Sequence, residues 1–315
     1  MRQMSAEVHD WLAGRSSSAD DWPVEALVAA KGDASVSVVL PAHNEAATVG
    51  VIVEMIRETL MRRHSLVDEL VVVDSCSTDA TAEVARAAGA RVVHQHEVLT
   101  HLPTLMGKGE ALWKGMSATS GDVVAFIDAD LIGCPPTFIT GLLGPLLMNP
   151  KIAYVKGFYR RALVHEGRTE PDGGGRVTEL VARPLLNLYW PQLAGFCLLY
   201  TLRDRLEAVP FVAHYGIEIG LLIDLLELVG LDALAQVDLG YRQHRHQSNE
   251  ALARMSAQIM LTAFTRLARQ GIGEVPDSTL LMQFRQSAHG ALRDVVTTEI
   301  GVPERPPLAK VRAFQ

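Results

Sequence analysis

Gly121-Asp122-Val123-Val124-Ala125-Phe126-Ile127-Asp128-Ala129-Asp130 is the stretch from which the rest of this 315-residue chain is read. An apolar run of β-formers ends in two carboxylates one residue apart. That is the pattern of a buried parallel strand carrying Asp128 and Asp130 out at its carboxyl end. Open α/β sheets place their ligands at that end. Two aspartates there suit a divalent cation, because hard cations take oxygen ligands, and Mg2+ is usually held by one or two carboxylates plus substrate phosphates. A plainer reading stays open beside it: Asp130 caps the next helix and Asp128 is a solvated strand end.

Upstream, Val36-Ser37-Val38-Val39-Leu40 reads as the first strand. The loop Pro41-Ala42-His43-Asn44-Glu45 follows, then a helix over Thr48 to Leu60 with Val49, Ile52, Val53 and Ile56 on one face. A second strand, Glu69 to Val73, ends at Asp74. Ser75 to Asp79 form a turn with several N-cap candidates, and the helix Thr81 to Ala88 is stopped by Gly89. Arg91 to His94 is a third short strand, and Gly107-Lys108-Gly109-Glu110 opens a helix over Ala111 to Ala118. This alternation means βαβ units and an α/β, Rossmann-like, mostly parallel sheet with helices on both faces.

In such a sheet Pro41 to Glu45, Asp74 to Ser77, Lys108 and Asp128 to Asp130 converge on one crevice. Glu45 or Asp74 can accept from a base or ribose, and Lys108 can meet a phosphate. Helix capping by Asp74 and Ser77 and a solvated Lys108 are the plain alternatives. No Gly-x-Gly-x-x-Gly follows the first strand and there is no Walker-type loop, which disfavours a dinucleotide fold or an ATPase.

The second half changes character. Ala153 to Tyr159 reads as a strand followed by Arg160 and Arg161. Gly173-Gly174-Gly175-Arg176-Val177-Thr178-Glu179 leads into a helix from about Val177 to Asn187. A glycine turn at a helix start, with an arginine and a hydroxyl, makes an anion cradle; a loose glycine loop with a surface arginine is the other reading. Glu218 falls inside an apolar helix start, where a carboxylate needs a partner or a function. A strand over Ala235 to Leu239 precedes Arg242-Gln243-His244-Arg245-His246. There His244 is either a metal ligand, since imidazole binds Mn2+ or Zn2+, or a solvated side chain. Residues 250 to 271 form an amphipathic helix.

The formal net charge of −7 argues against nucleic acid as the partner. The three cysteines, Cys76, Cys134 and Cys197, are far apart and lack metal-ligand spacing, which points to a reducing compartment. Met1 to Ser18 has no long apolar run, and Ile217 to Val237 is broken by Glu218, Asp224, Glu227 and Asp232. The expectation is a cytoplasmic protein with no signal peptide and no membrane span.

These pieces together resemble the retaining GT-A glycosyltransferases that make glucosyl-3-phosphoglycerate or mannosyl-3-phosphoglycerate. The resemblance runs from about Val36 to Gln258. It rests on Val38-Val39-Leu40-Pro41-Ala42, Asp74-Ser75-Cys76-Ser77-Thr78-Asp79, Gly107 to Trp113, Ile127 to Leu131, Gly173 to Leu186, Tyr215 to Leu222, and Arg242 to Arg245. The first two are common to many GT-A enzymes; the glycine-arginine stretch is more specific. The chain departs from the family at His43, at Cys76 and at Leu193 to Leu202, which is several residues shorter and lacks a Pro-Leu-Ser/Ala-Gly-Glu-Tyr-Ala stretch.

The resemblance implies a GT-A fold and metal-dependent transfer of a glucosyl or mannosyl group from a UDP- or GDP-linked sugar to 3-phosphoglycerate, with Mg2+ or Mn2+. It implies that Pro41, Ala42, His43, Glu45, Ser75, Lys108, Asp128 and Ala129 surround the nucleotide. Asp130 and His244 would coordinate the metal. Gly175, Arg176, Val177 and Thr178 would hold the acceptor. Glu218 would position the donor sugar, and Arg242 would lie beside the phosphates or acceptor; Glu218, Asp130 and Arg242 form the catalytic group. A homodimer is also implied.

The corresponding division of the chain is a helical arm over 1–30, docked through Trp11, Leu12, Trp22, Val24 and Leu27, a nucleotide-sugar half over 31–155, an acceptor half over 156–271, and an extended tail over 272–315. Three rivals fit less well. A lipid-phosphate or processive glycosyltransferase would carry a membrane anchor or Gln-x-x-Arg-Trp. A sugar nucleotidyltransferase would carry a glycine-rich loop directly after the first strand. A binding module would not need both an acceptor clamp and a metal site.

Overall fold

In the computed structural model the described residues are 6–161, 163–165, 168–170, 175–196, 201–242, 248–276, 278–286 and 293–313. The chain begins with α1 (Ala6–Arg15), β1 (Ser16–Ser18), α2 (Val24–Lys31), β2 (Val36–Ala42) and α3 (Val49–Met55), which continues as a π-helical segment, Ile56–Arg63. Next come β3 (Glu69–Asp74), α4 (Thr81–Ala88), β4 (Arg91–His94), α5 (Lys108–Ser117), β5 (Val123–Phe126) and α6 (Pro136–Met148). The second half runs through β6 (Tyr154–Arg161), β7 (Leu163–His165), β8 (Arg168–Glu170), a π-helical turn at Thr178–Ala182, α7 (Arg183–Tyr189), β9 (Thr201–Leu202) and α8 (Arg203–Glu207). It closes with β10 (Phe211–Val212), α9 (Ile217–Val229), β11 (Leu234–Arg242), α10 (Asn249–Arg269), β12 (Ser278–Gln286), β13 (Arg293–Gly301), β14 (Glu304–Arg305) and α11 (Leu308–Arg312).

One eight-stranded sheet, in the order β1-β11-β6-β9-β5-β2-β3-β4, carries the described core. β2 pairs in parallel with β3 and β5, and β3 with β4. β9 runs antiparallel to both β5 and β6. β5 and β6 therefore point the same way, and the carboxyl ends of β2, β3, β5 and β11 share one edge. The central strands are apolar on both faces: Val38, Val39, Leu40, Val71, Val72 and Val73 are all fully buried. That is why they read as continuous runs rather than alternations. β5 stops short of the carboxylates. Its pairing with β2 ends where Ile127 N donates to Val39 O at 3.0 Å, so Asp128 and Asp130 leave the sheet on a turn.

The N-terminal segment differs from a purely helical arm. Ser16–Ser18 joins the sheet edge as β1, parallel to β11. Trp11 fixes it: its Nε1 donates to Leu234 O at 2.8 Å, and its ring lies 4.0 Å from that of Phe196. The tail is built of extended segments that pair with each other and with the body. β12 and β13, nine residues each, pair antiparallel along their whole length, and β14 pairs with β10.

Helix α5 starts three residues before the expected Ala111, and the reason is a close approach. Gly107, at φ +123°, caps it, and a Cβ there would lie 2.5 Å from His214 Nδ1 and 2.6 Å from Ala213 O. A Cβ on Gly109 would lie 1.8 Å from Val212 O. Only glycine lets the helix start press against the loop after β10, and this makes Lys108 the first helical residue. Gly109→Ala is expected to destabilise the fold by about 1–3 kcal/mol through overpacking against backbone. A urea-unfolding midpoint equal to that of the parent chain would contradict this contact.

Candidate active site

The loops after β2 and β3 are laced together. Asn44 has φ 58°, a left-handed conformation that asparagine tolerates. Its N donates to Ser77 Oγ at 3.0 Å, and its Oδ1 accepts from Thr78 N at 2.8 Å. His43 Nδ1 lies 2.7 Å from Ser75 O. A carbonyl only accepts, so Nδ1 carries the proton and Nε2 is left to accept from Asn44 Nδ2 at 3.4 Å. Ser75 N donates to Ala42 O at 2.8 Å, and Ser75 Oγ donates to Gln95 Oε1 at 2.9 Å. Pro41, Ala42, His43 and Ser75 thus line one junction between strand ends.

Asp74 is buried and engaged twice: by His94 Nδ1 at 3.0 Å and by Ser77 N at 3.3 Å. Arg86 Nη2 donates to the other His94 nitrogen at 2.9 Å, which assigns the His94 proton to Nδ1. Glu45 joins the same edge. Its N donates to Thr81 Oγ1 at 2.8 Å. Thr48 Oγ1 lies 3.3 Å from Glu45 Oε2 and donates to Ala129 O at 2.6 Å. A threonine at the start of α3 therefore fastens the Glu45 loop to the turn that carries Asp128, Ala129 and Asp130.

The two halves of the chain meet at Lys108. Its Nζ lies 2.8 Å from Asp128 Oδ1 and 3.0 Å from Glu218 Oε1. The three side chains are 19%, 17% and 25% exposed, so the pairing is screened from water on most sides but open to the crevice. Tyr215 stands in the same field. Burial raises its hydroxyl pKa; Lys108 opposes the rise, and the charges of Asp128, Asp130 and Glu218 add to it. Tyr215 nevertheless keeps 45% of its surface accessible, so it borders the crevice. Burial also lowers the pKa of the neighbouring His214, favouring the neutral ring.

Arg242 is the last residue of β11, in register with Arg161 of β6, at the same sheet edge as the β5 turn. His244 lies outside the described residues. Among the described residues no three His, Cys, Asp or Glu side chains cluster as a metal site. The oxygen donors of Asp128 and Asp130 on one turn still fit a hard cation that shares a diphosphate, since such a cation draws most of its remaining ligands from phosphate and water.

Gly175, at φ +71°, opens the turn into Thr178–Ala182, with Glu179 N donating to Gly175 O at 3.0 Å. Val177 is buried and Arg176 is exposed; Arg176 Nη1 donates to Asn249 Oδ1 at 3.3 Å. Asn249 begins α10. Gln258 and Thr262, further along that helix, pack where a Cβ on Gly216 would sit. Helix α10 therefore runs from the Arg176 turn to the Tyr215–Gly216 turn that opens α9, with about 14 Å between Asn249 and Gln258 along its axis.

Tyr215, Thr48 and Gly107 take part in this site without having been given roles by sequence reasoning. The Gly-Lys-Gly triplet is a usable signal for close backbone approach at Lys108. Nothing local marks Thr48, whose partner Ala129 is 81 residues away.

At the carboxyl edge of this mostly parallel sheet the Asp128–Asp130 turn and Lys108 come together, and the class of protein follows from its likeness to known chains. The model described as "Glycosyl transferase family 2" matches residues 37–195. Glucosyl-3-phosphoglycerate synthase of Mycolicibacterium smegmatis is 45% identical over 313 residues, covering 96% of this chain and 99% of the relative. The enzyme of that name from Petrotoga mobilis is 36% identical, covering 90% and 89%. Mannosyl-3-phosphoglycerate synthase from Rubrobacter xylanophilus matches in structure with a TM-score of 0.86 at 38% identity, covering 96% and 99%. Glucosyl-3-phosphoglycerate synthase from Mycobacterium tuberculosis, in complex with Mn2+, UDP-glucose and phosphoglyceric acid, matches with a TM-score of 0.79 at 43% identity, covering 92% and 96%. The chain belongs to glycosyl transferase family 2 and, within it, to the glucosyl-3-phosphoglycerate synthase family; it is a hexosyltransferase. No helix among its described residues is long and apolar enough to cross a membrane.

Proposed function

We propose that this protein transfers glucose from UDP-glucose to 3-phospho-D-glycerate, with retention at the anomeric carbon and with Mg2+ or Mn2+ as cofactor. The observation that supports this is Lys108 joined to both Asp128 and Glu218, a cation of the kind that suits a phosphate beside a carboxylate of the kind that suits sugar hydroxyls. The names of the relatives at 44–47% identity favour glucose over mannose.

Pro41, Ala42, His43, Glu45 and Ser75 surround the base and ribose, with Asp128 and Ala129 on the ribose side. Asp130, with His244, holds the cation. When bound, the cation neutralises the leaving diphosphate as a Lewis acid. Lys108 supplies a second positive charge to the same phosphates, and Arg242 lies beside them. Glu218 accepts hydrogen bonds from the sugar hydroxyls. Gly175, Arg176, Val177 and Thr178 hold the acceptor's phosphate and carboxylate through backbone N–H groups, a guanidinium and a hydroxyl. The bond from the anomeric carbon to the diphosphate oxygen breaks, the bond to the acceptor hydroxyl oxygen forms on the same face, and the hydroxyl proton ends on the leaving phosphate. Asp128 and Glu218 share one ammonium, which weakens either as a nucleophile and supports a same-face transfer.

Two experiments test this reading. UDP-glucose should exceed GDP-mannose in kcat/KM by about tenfold or more, a ratio worth about 1.4 kcal/mol of transition-state discrimination; the reverse order would make the protein a mannosyltransferase. Arg176→Ala should lower kcat/KM for 3-phosphoglycerate by about 10–100-fold, as expected for a lost charge-assisted contact, with donor KM little changed. An unchanged acceptor response would remove the clamp. We further propose a cytoplasmic homodimer. The β12–β13 pair, where Leu280 and Met282 are 69% and 59% exposed, supports an apolar self-contact, checked by light scattering.

A further inference from the structure

Two consecutive residues of the tail reach both halves of the proposed site from behind. β14 lies antiparallel to β10, and Ala213 N donates to Pro303 O at 3.0 Å. Neighbouring side chains on a strand leave on opposite faces. Arg305, 5% exposed, forms a bidentate pair with the fully buried Glu110: Nε to Oε2 at 2.7 Å and Nη2 to Oε1 at 2.7 Å. Its guanidinium carbon stands 5.2 Å from the Trp113 ring centroid, and Nη2 also donates to Pro103 O.

Glu110 is two residues beyond Lys108. Its N donates to Ala213 O at 3.0 Å, and its Oε1 accepts from Leu105 N at 3.3 Å. Arg305 thereby fastens three things together: the loop ahead of Lys108, the first turn of α5, and the segment that leads to His214, Tyr215 and Glu218.

Glu304 works on the other face. It accepts from Arg266 and Arg269 of α10, and Arg266 is itself bidentate to Asp224 of α9 at 2.6 and 3.2 Å. Asp224 lies on the helix that carries Glu218 near its start. The α5 side of the Lys108–Glu218 contact is thus held by Arg305, and the α9 side by Glu304 through Arg266.

We propose that Glu304 and Arg305 are positioning residues for the transfer reaction, setting the placement of Lys108 against Glu218 although neither touches substrate. The proposal rests on the functional reading above. Arginine is required at 305 because its planar fork fills both Glu110 oxygens at once, which a lysine cannot do.

The test uses the full chain, with Arg305→Lys and Glu304→Gln. Melting curves and UDP binding in the presence of Mn2+, measured by calorimetry, are recorded beside kcat and both KM values. Arg305→Lys should remain folded and lose no more than about tenfold in UDP affinity, from the shifted Lys108 contact, while kcat falls about 10²-fold, the scale of an ångström-level misplacement of reacting groups. Glu304→Gln, which keeps shape and an acceptor oxygen, should lower kcat by about tenfold with KM values little changed. A folded Arg305→Lys protein with parental kcat overturns the proposal. So does loss of UDP binding in proportion to activity, which marks a merely structural role. If Arg305→Lys does not fold, Glu304→Gln decides alone, and an unchanged kcat there overturns the proposal. Parental turnover is measured first. Its absence defeats the functional reading and this inference with it, whereas parental turnover with unaffected variants defeats this inference alone.

Discussion

Asp130→Ala is expected to lower turnover by about 10²–10³-fold at saturating substrates, the largest effect of any single site change considered, because a metal ion's neutralisation of transferring charge is worth several kcal/mol. The substitution falls on the turn beyond the last β5–β2 hydrogen bond, so the sheet should keep its stability. The metal requirement should shift too: half-maximal activity should need more Mn2+, while binding of UDP without metal stays unchanged. A variant with parental activity and an unaltered Mn2+ titration would take Asp130 out of the cation site.

Glu218→Gln is expected to lower kcat by about 10²-fold and to leave UDP affinity within a few-fold, because it removes a charge from the sugar side and not from the nucleotide loops. The amide oxygen can still accept from Lys108, so the 3.0 Å contact need not be lost. What goes is the negative charge that balances Lys108 together with Asp128 and that, in the role proposed for Glu218, would strengthen hydrogen bonds from sugar hydroxyls. Calorimetry with UDP and Mn2+ separates the possibilities. If UDP affinity drops in step with kcat, Glu218 acts on the nucleotide instead of the sugar.

The parallel core was legible because β2, β3 and β5 are buried on both faces and show as uninterrupted apolar runs. Gly89 marked the end of α4 because only a left-handed residue, here at φ +99°, closes that helix. Other elements depend on partners far away in the chain. Ser16–Ser18 has no apolar pattern, and its strand exists through backbone bonds to β11, some 220 residues on. The true start of α5 depends on the close approach of Val212 to His214, which turns Gly107 into a cap.

The tail, too, is fixed by partners far away in the chain. Pro303, Pro306 and Pro307 suggest an extended segment, yet Arg305 pairs with Glu110 across 195 residues. In the sequence each is an ordinary charge; burial, which makes the loss of either partner costly, exists only in the fold. At the site, the acidic pair, Lys108 and the Gly175–Thr178 turn could be picked out by residue type and spacing. The contact of Lys108 with Glu218, 110 residues away, could not. Tyr215 was hidden for a similar reason, since its altered hydroxyl reflects burial first and then charges drawn from three separate elements.

The most direct measurement is nucleotide release by the purified protein with UDP-glucose, in a four-way comparison of 3-phosphoglycerate present or absent and Mn2+ present or absent. Rapid UDP release is expected only when both are present, with one glucosyl-3-phosphoglycerate formed per UDP. UDP release that is indifferent to 3-phosphoglycerate would contradict it and mark the protein as a hydrolase or as a transferase with another acceptor.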